Sequence, residues 1–427
     1  MQDLQNEAVL TRLSGTRRTQ GIFVPQIIRL PQLPWHGTKE LEVPLPDTWE
    51  VTVCNMAGWN RPALSDDQIK ASLTHLMGSP PIRELAKGKE EVVILFDDMA
   101  RVTRVARIVP FILEELAEAG IPDHKIRFVA ATGTHGAMNR ADFAKKLGEE
   151  TLKRFPVYNH NTFDHCSYVG KTSYGTPVSI NSEVLNCDFK IAIGSVTPHP
   201  LTVFSGGGKN ILPGVASFET IKTNHRLTSG KEPSDYAKNV PRLDMEEAAR
   251  LVGLDVLVEC LVNSWGETCA LFAGDLTSAH EAAVREAKTH YLTPKAQDQD
   301  IVIANTFAEV NEAAKGLLVA FPSVSERGGD VVLIRNAPEG QVIHYLFSKF
   351  GRHLENSAGR TFVLPSLIRH LILYSEYPDI AGAGHFGESD KVLLKNTWAD
   401  VLDILQKSHG RGARVAVYPN ADIQYFG

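Results

Sequence analysis

The chain has 427 residues, 43% of them hydrophobic and 22% charged, with a net charge of −6. This is ordinary globular composition with apolar material for two domains, and no Lys/Arg cluster is dense enough to mark a nucleic-acid partner. The longest apolar runs, "LDVLVECLV" and "VVILF", are far too short for a membrane-spanning helix.

The N-terminal stretch "MQDLQNEAVLTRLSGTRR" lacks the apolar core of a signal peptide. Five cysteines form no CxxC pair and read as reduced structural thiols, so a soluble cytoplasmic protein is expected. Residues 1 to about 50, rich in proline and turn formers, predict short strands and loops. From about residue 92 strands and helices alternate. "EVVILFDD" is a strand buried on both faces, and "RIVPFILEELAEAG" is a helix ended by Gly120 and Pro122. The strand "KIRFVAATGTH", the helix "NRADFAKKLGEETLKRF" and the strand "FKIAIGSVTPH" follow, then a helix through "ASFETIKTNHRLT". The helix "SAHEAAVREAKTHYL" leads to a second block. It holds the strand "QDIVIANTF", the helix "AEVNEAAKGLLVAF" and the strands "DVVLIRNA", "RHLILYSEY" and "ARVAVYPNA". The fold class expected is α/β, as two α/β domains over 1–275 and 276–427 with mainly parallel sheets and a cleft between them.

Polar residues gather at three strand tips of the first domain. They are Asp97, Asp98, Arg101, Thr103 and Arg104 after "ILF", then Gly133, Thr134 and His135 after "FVAAT", then Thr197 and His199 after "KIAIGS". Ligands of open parallel sheets bind beyond such carboxyl ends. The loop "SGGGK", Ser205, Gly206, Gly207, Gly208 and Lys209, matches neither Walker A nor GxGxxG. It reads either as amides turned toward a phosphate or as a tight turn. His199, stiffened by Pro198 and Pro200, suits a transition metal, but no HExxH or CxxC completes a protein-only shell. His135, flanked by glycine and threonine in "TGTHG", reads as functional, whereas His160 and His165 read equally well as surface or turn residues. Glu312 and Lys315, at i and i+3 of a helix, read from spacing alone as a surface ion pair.

In order along nearly the whole chain, "DDMARVT", "ATGTH", "GTPVSIN", "FKIAIGSVTPH", "FSGGGKNILPGV", "ETIKTNH" and "NEAAKG" resemble the lactate racemase family of nickel-pincer-nucleotide enzymes. The resemblance implies an isomerase, a racemase or epimerase of an α-hydroxy acid, served by cofactor biosynthesis enzymes. The implied cofactor is the nickel-containing pyridinium-3,5-bisthiocarboxylic acid mononucleotide. On this resemblance His199 is the nickel ligand, and His135 handles the substrate hydroxyl proton. Asp98, Thr134 and the Ser205–Lys209 loop lie at the cofactor. Arg101 or Lys315 holds the substrate carboxylate.

Three departures from the family pattern stand out. Ser182 replaces a lysine that tethers the cofactor, which implies a non-covalent cofactor. Glu312 replaces a glutamine, which implies a substrate other than lactate, one with further hydroxyls. The second catalytic histidine has no clean counterpart, leaving His160, His165 and Lys171 as candidates, with His165 preferred. The competing readings are a nucleotide-dependent oxidoreductase and a cofactor-binding relative without turnover.

Overall fold

A computed structural model describes residues 11–12, 25–227, 235–347, 362–383, 386 and 389–427. Contacts divide the chain into two compact units, Asn60–Ala287 with Val342–Arg360, and Met1–Trp59 with Lys288–Gln341 and Thr361–Gly427. The division therefore differs from a linear boundary at 275/276. The strand Glu50–Val53 runs parallel to Arg414–Tyr418 and joins the sheet of the later unit, and the segment beginning at Val342 returns to the earlier one.

In the unit containing residues 60–287, six strands lie in the order Thr268–Gly274, Val256–Val262, Phe189–Ser195, Val92–Phe96, Ile126–Ala130 and Val157–Asn159. All neighbours are parallel except the first pair. The chain builds outward from Val92–Phe96 to one side, then crosses back and builds from Phe189–Ser195 to the other. These two adjacent strands mark the topological switch point, where the connecting chains part and leave a crevice above the carboxyl ends. Every residue of Val92–Phe96 and Phe189–Ser195 is buried, which explains their unbroken apolar runs. Helix starts carry local caps. Asn139 accepts from the Ala141 and Asp142 amides, and Ser217 accepts from Thr220 N–H to open Phe218–Arg226.

The other unit holds a seven-stranded sheet in the order Thr11–Arg12, Glu50–Val53, Arg414–Tyr418, Ile301–Asn305, Gly329–Ile334, Ile368–Tyr374 and Val392–Lys395. All its pairs are parallel except the first. Its switch point lies between Ile301–Asn305 and Arg414–Tyr418. The helix expected over 308–321 is instead a 3₁₀ stretch, Val310–Gly316, followed by a short α-turn, Leu317–Ala320. Glu312 sits off helical geometry at φ −116°, ψ 45°. Side chains supply the reason: Asp422 takes the Phe307 and Glu309 amides, and Gln341 takes that of Ala313. Tertiary partners thus replace the bonds that would have propagated an α-helix. Among the described residues no helix is long and apolar enough to cross a membrane.

Candidate active site

The strand Val92–Phe96 ends in two buried carboxylates with different partners. Asp97 accepts from Lys146 Nζ at 2.7 Å and from the Thr103 hydroxyl. The same Lys146, wholly buried, also donates to Arg101 O at 2.7 Å. This salt bridge pins the turn that carries Arg101. Asp98 Oδ2 lies 2.6 Å from His135 Nδ1, while its Oδ1 accepts from Ala100 N–H at 2.9 Å. Burial alone would raise the Asp98 carboxyl. The His135 charge and hydrogen bond, with Arg101 and the Ala100 amide, overcome it and hold the group below the usual carboxylate range. An ionised Asp98 fixes the proton of His135 on Nδ1 and leaves Nε2 as the basic nitrogen.

His135 is held by its own strand tip. Gly133 adopts φ +53°, and a Cβ there would come within 3.2 Å of Pro213, so the "TGTH" turn needs glycine at this point. Thr134 is buried and its carbonyl accepts from Tyr345 N–H at 2.8 Å. His344 enters here, a residue no motif had suggested. Its ring centroid is 4.9 Å from that of His135, edge to face at 66°.

His199 lies on a small ribbon, Pro198–His199 against Val203–Phe204. Ser205 underpins the ribbon by accepting from Thr197 N–H and donating to Ser195 O, each at 2.9 Å. His199 Nε2 faces Lys209 Nζ at 3.0 Å. An ammonium only donates, so the lone pair is at Nε2. Thr202 Oγ1, 3.2 Å from Nδ1, gives its own proton to Phe204 O and can accept from Nδ1–H. The Leu201 N–H, 3.1 Å from Nδ1, favours the opposite tautomer, but a charged donor at Nε2 outweighs a neutral one.

The glycine loop departs from the phosphate cradle expected of it. Gly207 N–H donates to Glu259 Oε1, and Glu259 Oε2 lies 2.9 Å from His280 Nδ1. Lys209 N–H is taken by Gly206 O. A Cβ on Gly206 would meet Glu259 Oε1 at 2.1 Å, and one on Gly208 would meet Met245 O at 2.4 Å. These glycines allow close packing against the helix Val240–Val252, and the Gly207 amide serves the protein's own buried carboxylate rather than an outside phosphate. The Lys209 ammonium faces His199 Nε2 at 3.0 Å.

The remaining candidates divide. His160 is buried, not a surface or turn residue. Nε2 contacts Ala216 O at 2.8 Å, Nδ1 contacts Asn181 Nδ2 at 3.2 Å, and burial pushes its pKa down to about 4. It is a neutral strut between the Ile126–Ala130 tip and the Asn181 turn. His165, the preferred second acid–base residue, has a side chain 85% exposed with Asp164 as its neighbour, outside the buried His135 network. Its carbonyl accepts from Ser182 N–H and Oγ at 2.8 and 3.1 Å, which fixes the Ser182 hydroxyl beside Ser167 Oγ. Lys171 is exposed at the end of the strand Cys166–Lys171.

Lys315 is not on the surface, as its spacing had suggested. It is buried between Glu309 Oε2 at 2.6 Å and Glu312 Oε2 at 2.5 Å. Asp422 adjoins Glu309 at this unit's switch point, with Oδ1 lacking a hydrogen-bond partner among the described residues. Burial first, then the Glu309 charge, push the Asp422 carboxyl up to about 7.

The mainly parallel α/β sheet thus places a buried Asp–His pair and an aimed histidine at its switch point, the position where open sheets of this class bind small molecules. Known proteins resemble this chain over much of its length. The lactate racemase N-terminal domain family matches residues 36–236. Over 299 residues the chain is 29% identical to a lactate racemase of Lactiplantibacillus plantarum, covering 67% of this chain and 70% of that one. Over 320 residues it is 26% identical to a lactate racemase of Thermoanaerobacterium thermosaccharolyticum, covering 71% and 74%. The structure of the lactate racemase apoprotein from the latter organism aligns at a TM-score of 0.70 over 94% of this chain and 100% of that chain, at 20% identity. A Thermotoga maritima protein aligns at 0.61, over 86% and 99%, at 17% identity. The resemblance to the lactate racemase family is thereby shown.

Proposed function

We propose that this chain is a racemase or epimerase that inverts C2 of an α-hydroxy acid through a 2-keto acid, using a non-covalently held nickel-pincer nucleotide. The observation that carries the reading is the buried Asp98–His135 pair at 2.6 Å, seated at the switch point. Its relatives named as lactate racemases support the reaction class.

The donor set fits the cofactor. Among the described residues no group of three or more His, Cys, Asp or Glu side chains could hold a metal, so a metal at His199 must bring its other ligands with it. The His199 Nε2 lone pair accepts from Lys209 Nζ at 3.0 Å, and a metal bound at Nε2 would displace that ammonium, freeing it to pair with an anionic group of the cofactor. When bound, the cofactor supplies the acceptor and donor for the Cα hydride. The chain's own residues do the rest. Arg101, on the turn braced by Lys146, clamps the substrate carboxylate. His135 Nε2 takes the hydroxyl proton, with Asp98 stabilising the imidazolium formed. On the family resemblance Lys315 serves the substrate, and being already matched by Glu309 and Glu312 it suits hydroxyl groups better than a second carboxylate. That supports a polyhydroxy acid over lactate.

The strand order by itself also suits a dinucleotide oxidoreductase. Against that reading, the Gly207 amide is committed to Glu259 and the loop lacks GxGxxG. The test is nickel content and intact mass of protein co-produced with cofactor biosynthesis enzymes. About one nickel per chain, lost in His199→Ala, with an unmodified polypeptide mass and inversion of a hydroxy acid, is the expected result. Background nickel in the unaltered protein sinks the proposal, and nickel without inversion of any hydroxy acid leaves a cofactor carrier.

A further inference from the structure

His344 comes from a stretch distant in sequence from every motif of the site. Residues 342–347 pack with the unit that carries His135, although the chain up to Gln341 and again from Thr361 belongs to the other unit. Gly136 N–H donates to Ile343 O at 2.9 Å and Tyr345 N–H to Thr134 O at 2.8 Å, so His135 and His344 face each other in an antiparallel bridge. Leu346 is completely buried in the core of this unit, and the Tyr345 ring lies 5.4 Å from that of Phe163. Phe347 packs against the other side of His344 at 4.4 Å. The arm is therefore anchored on both sides of the histidine, and its ring orientation is fixed.

We infer that His344 is the second acid–base residue of this site, serving the stereoisomer whose hydroxyl proton His135 does not handle. The inference rests on the racemase reading above. Inversion at C2 needs proton transfer at two positions, because the hydroxyl of the second isomer leaves the centre in another direction. With His135 neutral and His344 protonated, the hydroxyl proton of one isomer passes to His135 Nε2, while the bound cofactor would supply the acceptor for the Cα hydride. His344 then gives its proton to the keto oxygen, and the cofactor would supply the hydride that completes the opposite isomer. The enzyme is left with His135 protonated and His344 neutral, which is the form required to take the opposite isomer. Atoms and charge balance, and no further reactant is needed.

The geometry suits a pair that shares one proton. Two imidazolium ions with centroids 4.9 Å apart repel, so the second proton binds much less readily than the first. Among the described residues, the charged and titratable groups beside the pair include Asp98, with Arg101 acting on it from the same turn, and His225 beyond Phe347. Asp98 supplies one balancing negative charge on the His135 side. On the His344 side the Thr134 hydroxyl, 3.5 Å from Nδ1, can accept from Nδ1–H, whereas Leu346 N–H, 3.3 Å away, donates to an unprotonated Nδ1, so the protonated ring gives up the Leu346 contact and keeps that to Thr134.

Two measurements test this. In the full chain labelled with ¹³C-histidine, which requires no cofactor, the His135 midpoint is followed by NMR with and without His344→Gln. Removing the neighbouring charge raises that midpoint by about half a pH unit or more, the repulsion of two unit charges ~5 Å apart in a water-like dielectric. In nickel-loaded enzyme, keto-acid formation in a single turnover is measured from each stereoisomer separately. His344→Gln slows one isomer by about 10²- to 10⁴-fold and leaves the other within about threefold, and His135→Gln gives the mirror result. His344→Phe, which keeps an aromatic ring in this place and the docked arm, behaves like His344→Gln. An unmoved His135 midpoint, or equal rates from both isomers in His344→Gln, overturns the assignment while the racemase reading stands. Background nickel in the unaltered protein overturns both.

Discussion

Two carboxylates illustrate how environment sets role at the scale of the residue. Asp98 is buried yet ionised, because His135, Arg101 and a backbone amide all favour its charge. Asp98→Asn should lower kcat by about 10²- to 10⁴-fold while thermal stability is largely kept, since the amide can still bond to the ring but no longer favours the imidazolium. Steady-state kinetics and a melting curve on the same samples check this. Asp422 is the opposite case, with burial and Glu309 pushing its carboxyl up from 3.8 to about 7. A group raised on folding contributes stability that is complete below its unfolded value and is lost as pH rises through the folded value. Unfolding free energy should therefore decline between about pH 4 and pH 7, and Asp422→Asn should flatten that part of the curve. Denaturant titrations across the range measure it. A decline unchanged in the variant would mean that Asp422 is ionised in the fold.

The Ser205–Lys209 loop shows what an element requires that its residues do not announce. A Cβ on Gly208 would stand 2.4 Å from Met245 O, which is backbone of the helix Val240–Val252 and cannot swing aside. Gly208→Ala should cost about 1–3 kcal/mol in chemical denaturation. Gly410→Ala, with nothing within 4 Å of the added Cβ, should leave stability unchanged and serves as the control. The run of three glycines was visible in the sequence, but its purpose was not. A phosphate nest and a packing surface need the same freedom from Cβ, and only the placement of Glu259, some fifty residues later, shows which one Gly207 serves. The 308–321 stretch is similar. Its apolar spacing is helical, but Asp422 and Gln341 claim the backbone donors and leave a kinked 3₁₀ turn that buries Lys315.

For the whole molecule, a cofactor bound only to the folded state raises stability by mass action. Loading with the nickel-pincer nucleotide should raise the melting temperature of the unaltered protein and leave that of His199→Ala unchanged, as calorimetry with and without cofactor would register. The sequence by itself determined the strand–helix alternation, the parallel character of both sheets and the three polar strand tips. These follow from local rules: strands buried on both faces are continuously apolar, and a parallel sheet puts its polar chemistry where those runs end. Asp98, His135 and His199 were legible for that reason. Only the tertiary structure decided that Glu50–Val53 completes the sheet of the later unit, that His160 is buried and His165 exposed, and that His344 stands against His135. Each of these depends on contacts between residues far apart along the chain. No local spacing encodes such contacts, because they exist only once backbone pairing and core burial bring the distant segments together.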